Sequence, residues 1–581
     1  MQITGAELFA KALREEGVDT LFAYPGGQVI DLFNVLYEEN QINLVLPRHE
    51  QGLIHAADGY ARSTGKVGVC LVTSGPGATN LVTGIATANY DSVPLVCFTG
   101  QVPTHLMGRS AFQEVDIVEV TGSICKYAVT VKNREELAET IKKAFLLART
   151  GKPGVVVVDL PKDIQTAYGS DVYPEETQIK SLRPTPQLRT EQINKALEAL
   201  SHAQRPLFLI GGGVNIARAN REMLKLAERT GVPVVTTIMG KGAIPSTHEL
   251  YVGNLGIHGS FAANSAVSAC DVLFSIGTRF NDRITGKIEE FAKGAKVVHI
   301  DIDSSSISRN VKADIPIIAD AKQAICSLCE KAEHLQISDW VKTIKDWKDE
   351  FPISMGTDGL TPQKIIQSIN SIFVEDALIV TDVGQNQLWT TQFIELDENK
   401  RMLTSGGFGT MGYGLPAAIG AKIGNPSKDV IVISGDGGMQ MNIQEMASAV
   451  VYELPIIICI LNNGYLGNVR QWQEMFYGRR YSGTCMRYRK SCPSPCNAPS
   501  EACPKYTPDF VKLAESYGAK GIRVTDADDI ASALMTAKKN RRGPTVIEFI
   551  IDRECNVMPI VPPGSSLNEQ LNSTDMMGRA E

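Results

Sequence analysis

Short apolar runs rich in β-branched residues recur along the chain, each bounded by glycine or a polar turn and followed by a stretch of helical period. The clearest are VGVCLVTS (67–74), PLVCFTG (94–100), GVVVVDLP (154–161), PLFLIGGG (206–213), DVIVISGDGG (429–438), PIIICILNN (455–463) and PTVIEFII (544–551). A strand with one wet face alternates apolar and polar residues. These runs do not alternate, so both faces must be covered, as helices cover a parallel sheet. The pattern predicts an α/β protein built from doubly wound domains with mainly parallel sheets.

Two polar stretches ending near a proline, 173–190 and 339–361, read as seams. They predict an N-terminal block over 1–172, a central block over 190–338, a third block over 361–553 and a C-terminal arm over 554–581. The first and third blocks each end in a strand-like run, so they could share a fold. A polar, cysteine-bearing stretch, 481–508, breaks the third block as an insertion would.

Composition agrees with this division and excludes several classes of function. At 581 residues the chain is too long for one core, and about 150 residues per domain suits three or four. With 43% hydrophobic and 21% charged residues and a net charge of -7, it has neither the basic stripe that a nucleic-acid backbone requires nor a disordered composition. No window reaches membrane-spanning length and the first residues lack an apolar signal core, so the expected location is the cytoplasm. Twelve cysteines are too few for a disulfide scaffold. Cys70, Cys97, Cys125, Cys270 and Cys459 sit in apolar runs and read as core thiols.

Ligands of α/β sheets bind beyond the carboxyl ends of the strands. DVIVISGDGG and PIIICILNN both stop at that edge, at Gly435-Asp436-Gly437-Gly438 and Asn462-Asn463. A carboxylate and an amide oxygen suit part of an octahedral Mg²⁺ shell, and paired glycines let backbone N–H groups close on a diphosphate. Read alone, the same residues are a tight turn and a strand end. The loop DVGQNQ (382–387) and the segment GGFGTMGYGLPAAIG (406–420) are likewise either phosphate-proximal loops or plain turns before helices.

In the first block, Glu50 follows an apolar strand and opens a helix, where a carboxylate can simply offset the helix dipole. SGPGATN (74–80) is a small-residue turn suited to close approach of a cofactor, a second subunit or its own backbone. RSAFQEVD (109–116) offers Phe112 and Gln113. Lys126 is a lone cation in an apolar run, as a snorkelling surface lysine would be. In the central block Gly211-Gly212-Gly213 lacks the dinucleotide fingerprint. It is joined by TTIMGKGAIP (236–245), GNLGIHGS (253–260), SIGTRFNDRITG (275–286) and VVHIDID (297–303). Arg279 and Arg283 fit either anionic ligands or surface pairs with Asp282 and Glu289.

The 27-residue spacing from Asp436 to Asn463, with helix and strand in order, is similar to the signature of thiamine-diphosphate enzymes. The central segments taken together resemble the flavin domain of acetohydroxyacid synthase, also called acetolactate synthase. The likeness runs in order from GAELFAKALREEGVDTLFAYPGG (5–27) to NVMPIVPPG (556–564). This resemblance implies Mg²⁺ at Asp436, Asn463 and Tyr465. It implies thiamine diphosphate at Gly26, Gly27, Val383, Gly384, Gln385, Asn386, Gly409, Met411, Gly437 and Gly438, with Met411 holding the cofactor rings bent. A largely structural FAD would meet Met239, Gly240, Lys241, Arg279, Asp301 and Asp320.

The implied reaction decarboxylates pyruvate on thiamine diphosphate and transfers the hydroxyethyl unit to a second 2-ketoacid, the first common step of branched-chain amino-acid biosynthesis. Glu50 would hydrogen-bond the pyrimidine nitrogen and start the chemistry. Gln113 and Lys126 would position the first substrate, Arg283 and Trp472 the second. Because the family builds its site from two subunits, the resemblance implies a homodimer at least, or a tetramer, and a possible small regulatory subunit. The chain departs from the family pattern at Gln28, Ile257, Asn386, Phe408 and Asn468, which leaves the acceptor open between pyruvate and 2-ketobutyrate. A pyruvate oxidase-type flavoenzyme shares the same cofactors and domains, other thiamine-diphosphate carboligases differ in acceptor, and Trp472 alone reads equally as a core tryptophan. Cys485, Cys492, Cys496 and Cys503, at spacings of 7, 4 and 7, match no common zinc or iron–sulfur pattern; a bound metal, a redox-labile pair and a loop of free thiols all stay open.

Overall fold

The computed structural model describes residues 2–179, 187–356, 358–493, 496–500, 503–504 and 508–572. Residues 180–186 of the first seam and 573–581 of the C-terminal arm lie outside them. Three six-stranded sheets carry the fold, each drawn from one block of the chain.

Sheet I contains β1 (Thr20–Ala23), β2 (Asn43–Val45), β3 (Gly68–Val72), β4 (Leu95–Gln101), β5 (Tyr127–Thr130) and β6 (Val155–Pro161). They lie in the order β2-β1-β3-β4-β6-β5. Sheet II contains β7 (Pro206–Ile210), β8 (Val234–Thr236), β9 (Tyr251–Asn254), β10 (Val272–Ile276), β11 (Lys296–Asp301) and β12 (Ile315–Ile318), in the order β9-β8-β7-β10-β11-β12. Sheet III contains β13 (Ala377–Thr381), β14 (Arg401–Leu403), β15 (Asp429–Gly435), β16 (Ile456–Asn462), β17 (Lys520–Val524) and β18 (Thr545–Ile550), in the order β14-β13-β15-β16-β18-β17. Every pairing within these sheets is parallel. Sheets I and III therefore have one topology, strand for strand. Sheet II has the order of a dinucleotide-binding sheet, with its direction switching between β7 and β10.

The unbroken apolar runs are explained by two-sided burial. In β15, Ile431 and Ile433 pack with Trp389 and Leu534 on one face, whereas Val430 and Val432 pack with Leu415 and Met446 on the other. Sheet I repeats this, with Val69 and Leu71 facing Phe9 and Phe145, and Cys70 and Val72 facing Ile54 and Ile85. Among the described residues no helix is long and apolar enough to cross a membrane.

Five helices bear on the sheet edges and on the contacts between blocks: α1 (Glu50–Thr64), α2 (Leu137–Arg149), α3 (Gln385–Phe393), α4 (Gly414–Gly424) and α5 (Gly467–Phe476). Helix α1 of the first block crosses α4 of the third at backbone contact. A Cβ at Gly59 would fall on the Ala417 carbonyl, and one at Gly420 on the Ala56 carbonyl. Beside this crossing Tyr413 donates to Asp58 Oδ1 at 2.6 Å, and Arg62 pairs with Asp58 at 2.6 Å and Asp91 at 3.0 Å. The blocks are joined here by hydrogen bonds from Tyr413 to Asp58, from Arg62 to the Thr404 carbonyl at 3.2 Å and from Gly407 N–H to Asp91 at 3.0 Å.

His55 is sealed into this contact, edge-on to Tyr413 at 5.5 Å between ring centroids, and neither ring nitrogen has a hydrogen-bond partner. Burial lowers its pKa from 6.5 to about 4.

Gly420→Val leaves no space for its branched side chain and should lower stability by about 1–3 kcal/mol, read as a fall in the thermal unfolding midpoint. Between pH 6.5 and about 4 the unfolded chain protonates His55 and the folded chain does not, so the unfolded state binds more protons and stability falls as pH falls, by up to about 3 kcal/mol. His55→Phe removes that site, and its unfolding midpoint should decline less over the same pH range.

Candidate active site

Sheet III ends in two buried carboxylates with opposite surroundings. Asp382, after β13, accepts from Val383 N–H at 2.8 Å, from Gly412 N–H at 3.1 Å and from Gly414 N–H at 3.0 Å. Its Oδ1 also occupies the space where a Cβ on Gly438 would sit. One side chain therefore pins the loops carrying Gly384, Met411 and Gly438. Asp436, after β15, is fully buried, and among the described residues its Oδ2 has no partner. Burial raises its carboxyl to about 7, against the pull of backbone N–H groups and the Arg487 charge.

Asn463, at the end of β16, is buried within the same edge. Its Oδ1 accepts from Tyr465 N–H at 3.0 Å, and its Nδ2 donates to Gln385 Oε1 at 3.0 Å. Gln385 also donates to Gln471 Oε1 and the Cys555 carbonyl, each at 3.0 Å. Asn386 donates to the Asp382 and Ile433 carbonyls at 2.9 Å, clamping β13 to β15 and leaving its Oδ1 toward Gly384 and Gly435. A Cβ on Gly437 would lie 2.7 Å from Leu466 and 3.7 Å from Met411 Cε. Asp436, Gly437, Gly438, Met411, Val383, Gly384, Gln385, Asn386, Asn463 and Tyr465 thus share one edge. Gly409 is exposed on the approach to it, at φ +75°.

The corresponding edge of sheet I gathers a second group. Glu50 Oε2 accepts from Asn80 Nδ2 at 2.9 Å, and its Oε1 faces Gly77. Gly77 and Gly26 both pack against Thr73, and Gly27 follows directly. Gln113 sits at φ +61° with its backbone against Gly75, so a left-handed residue is held beside the Glu50 loop. Phe112 is 84% exposed next to it.

Lys126 does not join this group. Its Nζ donates to the carbonyls of Leu147, Thr150 and Lys152 at 2.6–2.7 Å, closing the C-terminus of α2. Burial lowers its pKa to about 8. The residue precedes β5, at the amino edge of sheet I, whereas Glu50 lies at the carboxyl edge. Within one chain the cation is a helix-end anchor, because three carbonyls at the end of α2 capture it.

Sheet II opens its switch point on the same side as Tyr90 of the first block. Gly211 and Gly213 press on Gly277 so tightly that a Cβ would meet backbone. Ser275 Oγ and Thr278 Oγ1 there are buried without partners. Gly240 packs on the Ile210 carbonyl, Met239 packs on Gly406, and Lys241 is buried. Asp301 is raised to about 6 by burial. Asp320 accepts from Gln323 N–H at 3.1 Å as a helix cap. Arg279 stacks on Tyr90 at 4.3 Å. Arg283 is exposed and pairs with Asp282 at 3.2 Å. Trp472 is half-buried on α5, edge-on to Phe476, with its indole N–H unpartnered.

Residues 555–561 tie sheet II to sheet III. Gln471 donates to the Val557 carbonyl at 2.8 Å, Gln392 to the Met558 carbonyl at 3.0 Å, and Val561 N–H to the Ile257 carbonyl at 2.8 Å. His258 Nδ1 lies 3.2 Å from the Pro559 carbonyl. Sequence reasoning does not single out Asp382 and Asn80 as site residues. A carboxylate at a strand end followed by glycine is the available signal for the first. The second has none beyond its place in SGPGATN.

Residues 3–120 match the family described as thiamine pyrophosphate enzyme, N-terminal TPP binding domain; residues 193–328 match its central domain and 382–549 its C-terminal TPP binding domain. An acetolactate synthase large subunit of Corynebacterium glutamicum is 43% identical over 97% of this chain and 89% of its own length. A probable acetolactate synthase large subunit of Methanocaldococcus jannaschii is 44% identical over 97% and 94%. Acetolactate synthase isozyme 3 large subunit of Escherichia coli is 40% identical over 98% of each. With all three domains matched and likeness of this extent along nearly the whole chain, the protein belongs to the thiamine-diphosphate enzymes, in the family of acetolactate synthase large subunits.

Proposed function

We propose that this protein joins two 2-ketoacids. Pyruvate loses CO₂, and the remaining two-carbon unit adds to the ketone of a second pyruvate or of 2-ketobutyrate, giving 2-acetolactate or 2-aceto-2-hydroxybutyrate. The observation that carries the reading is the carboxyl edge of sheet III, where Asp436 keeps a buried, unpartnered oxygen beside Asn463 and two glycines. A buried acid with a free oxygen suits a hard divalent cation, and Mg²⁺ would take Asp436, Asn463 and the Tyr465 carbonyl. Gly437 and Gly438, with no room for a Cβ beside Leu466 and Asp382, fit close approach of a diphosphate.

Thiamine diphosphate, when bound, supplies the nucleophilic carbon and the electron sink for decarboxylation. The chain's own groups do the rest. The Glu50 carboxyl, oriented by Asn80, holds a proton against the pyrimidine nitrogen. Met411 backs the cofactor rings from the same edge as Gly437. Gln113 presents a polar side chain to the first ketoacid, and Arg283 a planar fork to the carboxylate of the second. Trp472 narrows the acceptor space, and Asn468 and Gln28 add polar groups to its walls.

FAD would lie across the switch point of sheet II, where Ser275 and Thr278 keep hydroxyls without partners among the described residues and Gly211, Gly213 and Gly277 close the turns at backbone contact. Met239, Gly240, Lys241, Arg279, Asp301 and Asp320 border that crevice. A homodimer, or a tetramer of two such pairs, is the assembly proposed, in the cytoplasm, with a small regulatory subunit as the counterpart of a large one.

Two experiments test this reading. Asp436→Ala should keep its fold by circular dichroism yet lose Mg²⁺-dependent thiamine-diphosphate binding in calorimetry. Glu50→Gln should lower kcat about 100-fold or more in an anaerobic pyruvate assay read as acetolactate. Acetate formed together with bleached flavin would overturn the condensation, and near-normal turnover of Glu50→Gln would overturn the role of that residue. Competition between pyruvate and 2-ketobutyrate in the same assay fixes the acceptor.

A further inference from the structure

The cysteine-bearing insertion has no part in the proposed reaction, yet its first residues do not run out into solvent. Leu466 N–H donates to the Thr484 carbonyl at 2.8 Å and Met486 N–H to the Gly464 carbonyl at 2.9 Å, so Cys485 pairs with Tyr465 as a strand would. The insertion is thereby bound to the loop that begins at Asn463. Its four cysteines are free thiols, and among the described residues no three His, Cys, Asp or Glu side chains converge as a metal site.

This docking delivers one cation to the metal loop. Arg487 lies against Gly464, where an added Cβ would stand 2.6 Å from its Nε and 3.2 Å from its Cδ. Among the described residues that Nε is buried without a hydrogen-bond partner and Arg487 forms no ion pair. Of the neighbouring cations, Arg470 and Arg479 are paired with carboxylates, whereas Arg553 has a buried Nε with no partner among the described residues. Arg553 lies over the Tyr465 ring at 5.0 Å with its Nη2 3.9 Å from Cys485 Sγ, while Arg470 and Arg479 share Glu474 and Arg479 also pairs with Glu554. The Arg487 charge is felt by Asp436 across the gap between them. A guanidinium taken partly from water costs free energy unless an anion meets its donors. Among the described residues no carboxylate pairs with it, and Asp436 acts on it only at a distance.

We propose that Arg487 is a cofactor-binding residue contributed by the insertion, donating to the diphosphate oxygens alongside the backbone N–H groups of Gly437 and Gly438. The planar fork of arginine suits paired phosphate oxygens, and a charge at this place offsets the negative charge that one divalent cation leaves on a diphosphate. The inference rests on the thiamine-diphosphate reading of the edge of sheet III.

The test uses the full chain and three probes at saturating Mg²⁺: thiamine diphosphate, inorganic diphosphate, and thiamine without phosphates. Calorimetry on Arg487→Ala and Arg487→Gln should show thiamine diphosphate and inorganic diphosphate bound about 10- to 100-fold more weakly than by the parent, with thiamine unchanged. Parent-like affinity for both phosphate-bearing probes in either folded variant overturns the assignment. So does an equal loss for thiamine, which would mean that the insertion only shapes the loop. If the parent itself fails to bind thiamine diphosphate, the reading of the edge falls and this inference with it.

Discussion

A carboxylate withdrawn from water must be met by donors or by a cation, and the third block is organised around two that are met differently. Asp382 is satisfied from within, by three backbone N–H groups from two loops. The loops on either side of α3 and α4 are held because that charge requires them. Asp436, one strand over, keeps an oxygen without a partner. The rigidity produced by the first carboxylate keeps the second from collapsing onto a substitute donor, so the edge of sheet III remains fit for a ligand.

The same economy of polar groups explains how the blocks are joined. Between α1 and α4 there is no space for side chains at Gly59 and Gly420, so the helices meet at backbone distance and Arg62 is enclosed between the Asp58 and Asp91 carboxylates. Sheet II is joined by different means, through Arg279 on Tyr90 and through the strand-like passage of residues 555–561. Sheets I and III, alike in strand order, thus present their carboxyl edges as halves of one design. Glu50 belongs to one and Asp436 to the other.

Much of this was legible in the chain. Runs such as DVIVISGDGG could only be buried strands, and the end of each run marked the edge at which Asp436 and Asn463 now stand. Local pattern could not say which carbonyls a side chain would find across the fold. Lys126 looked like a substrate contact and is captured by the end of α2, a helix that lies beyond it in the sequence. Asp382 opened a loop that read as phosphate-proximal or as a plain turn, and its role emerged only when a loop 30 residues downstream folded back on it. Arg487 sits in a stretch whose composition signalled only polarity and thiols; its meaning comes from the pairing of Tyr465 with Cys485.

The passage of residues 555–561 also sets an order in time. It comes after all three sheets in the chain, yet Gln385, Gln392, Gln471 and His258 take their main-chain partners from it. Before that segment is made, those four side chains lack these partners and are left to water. The third block can form its sheet before then, but α3 and α5 reach their final settings only afterwards. Completion of the cofactor edge therefore depends on a segment that follows all three sheets in the chain.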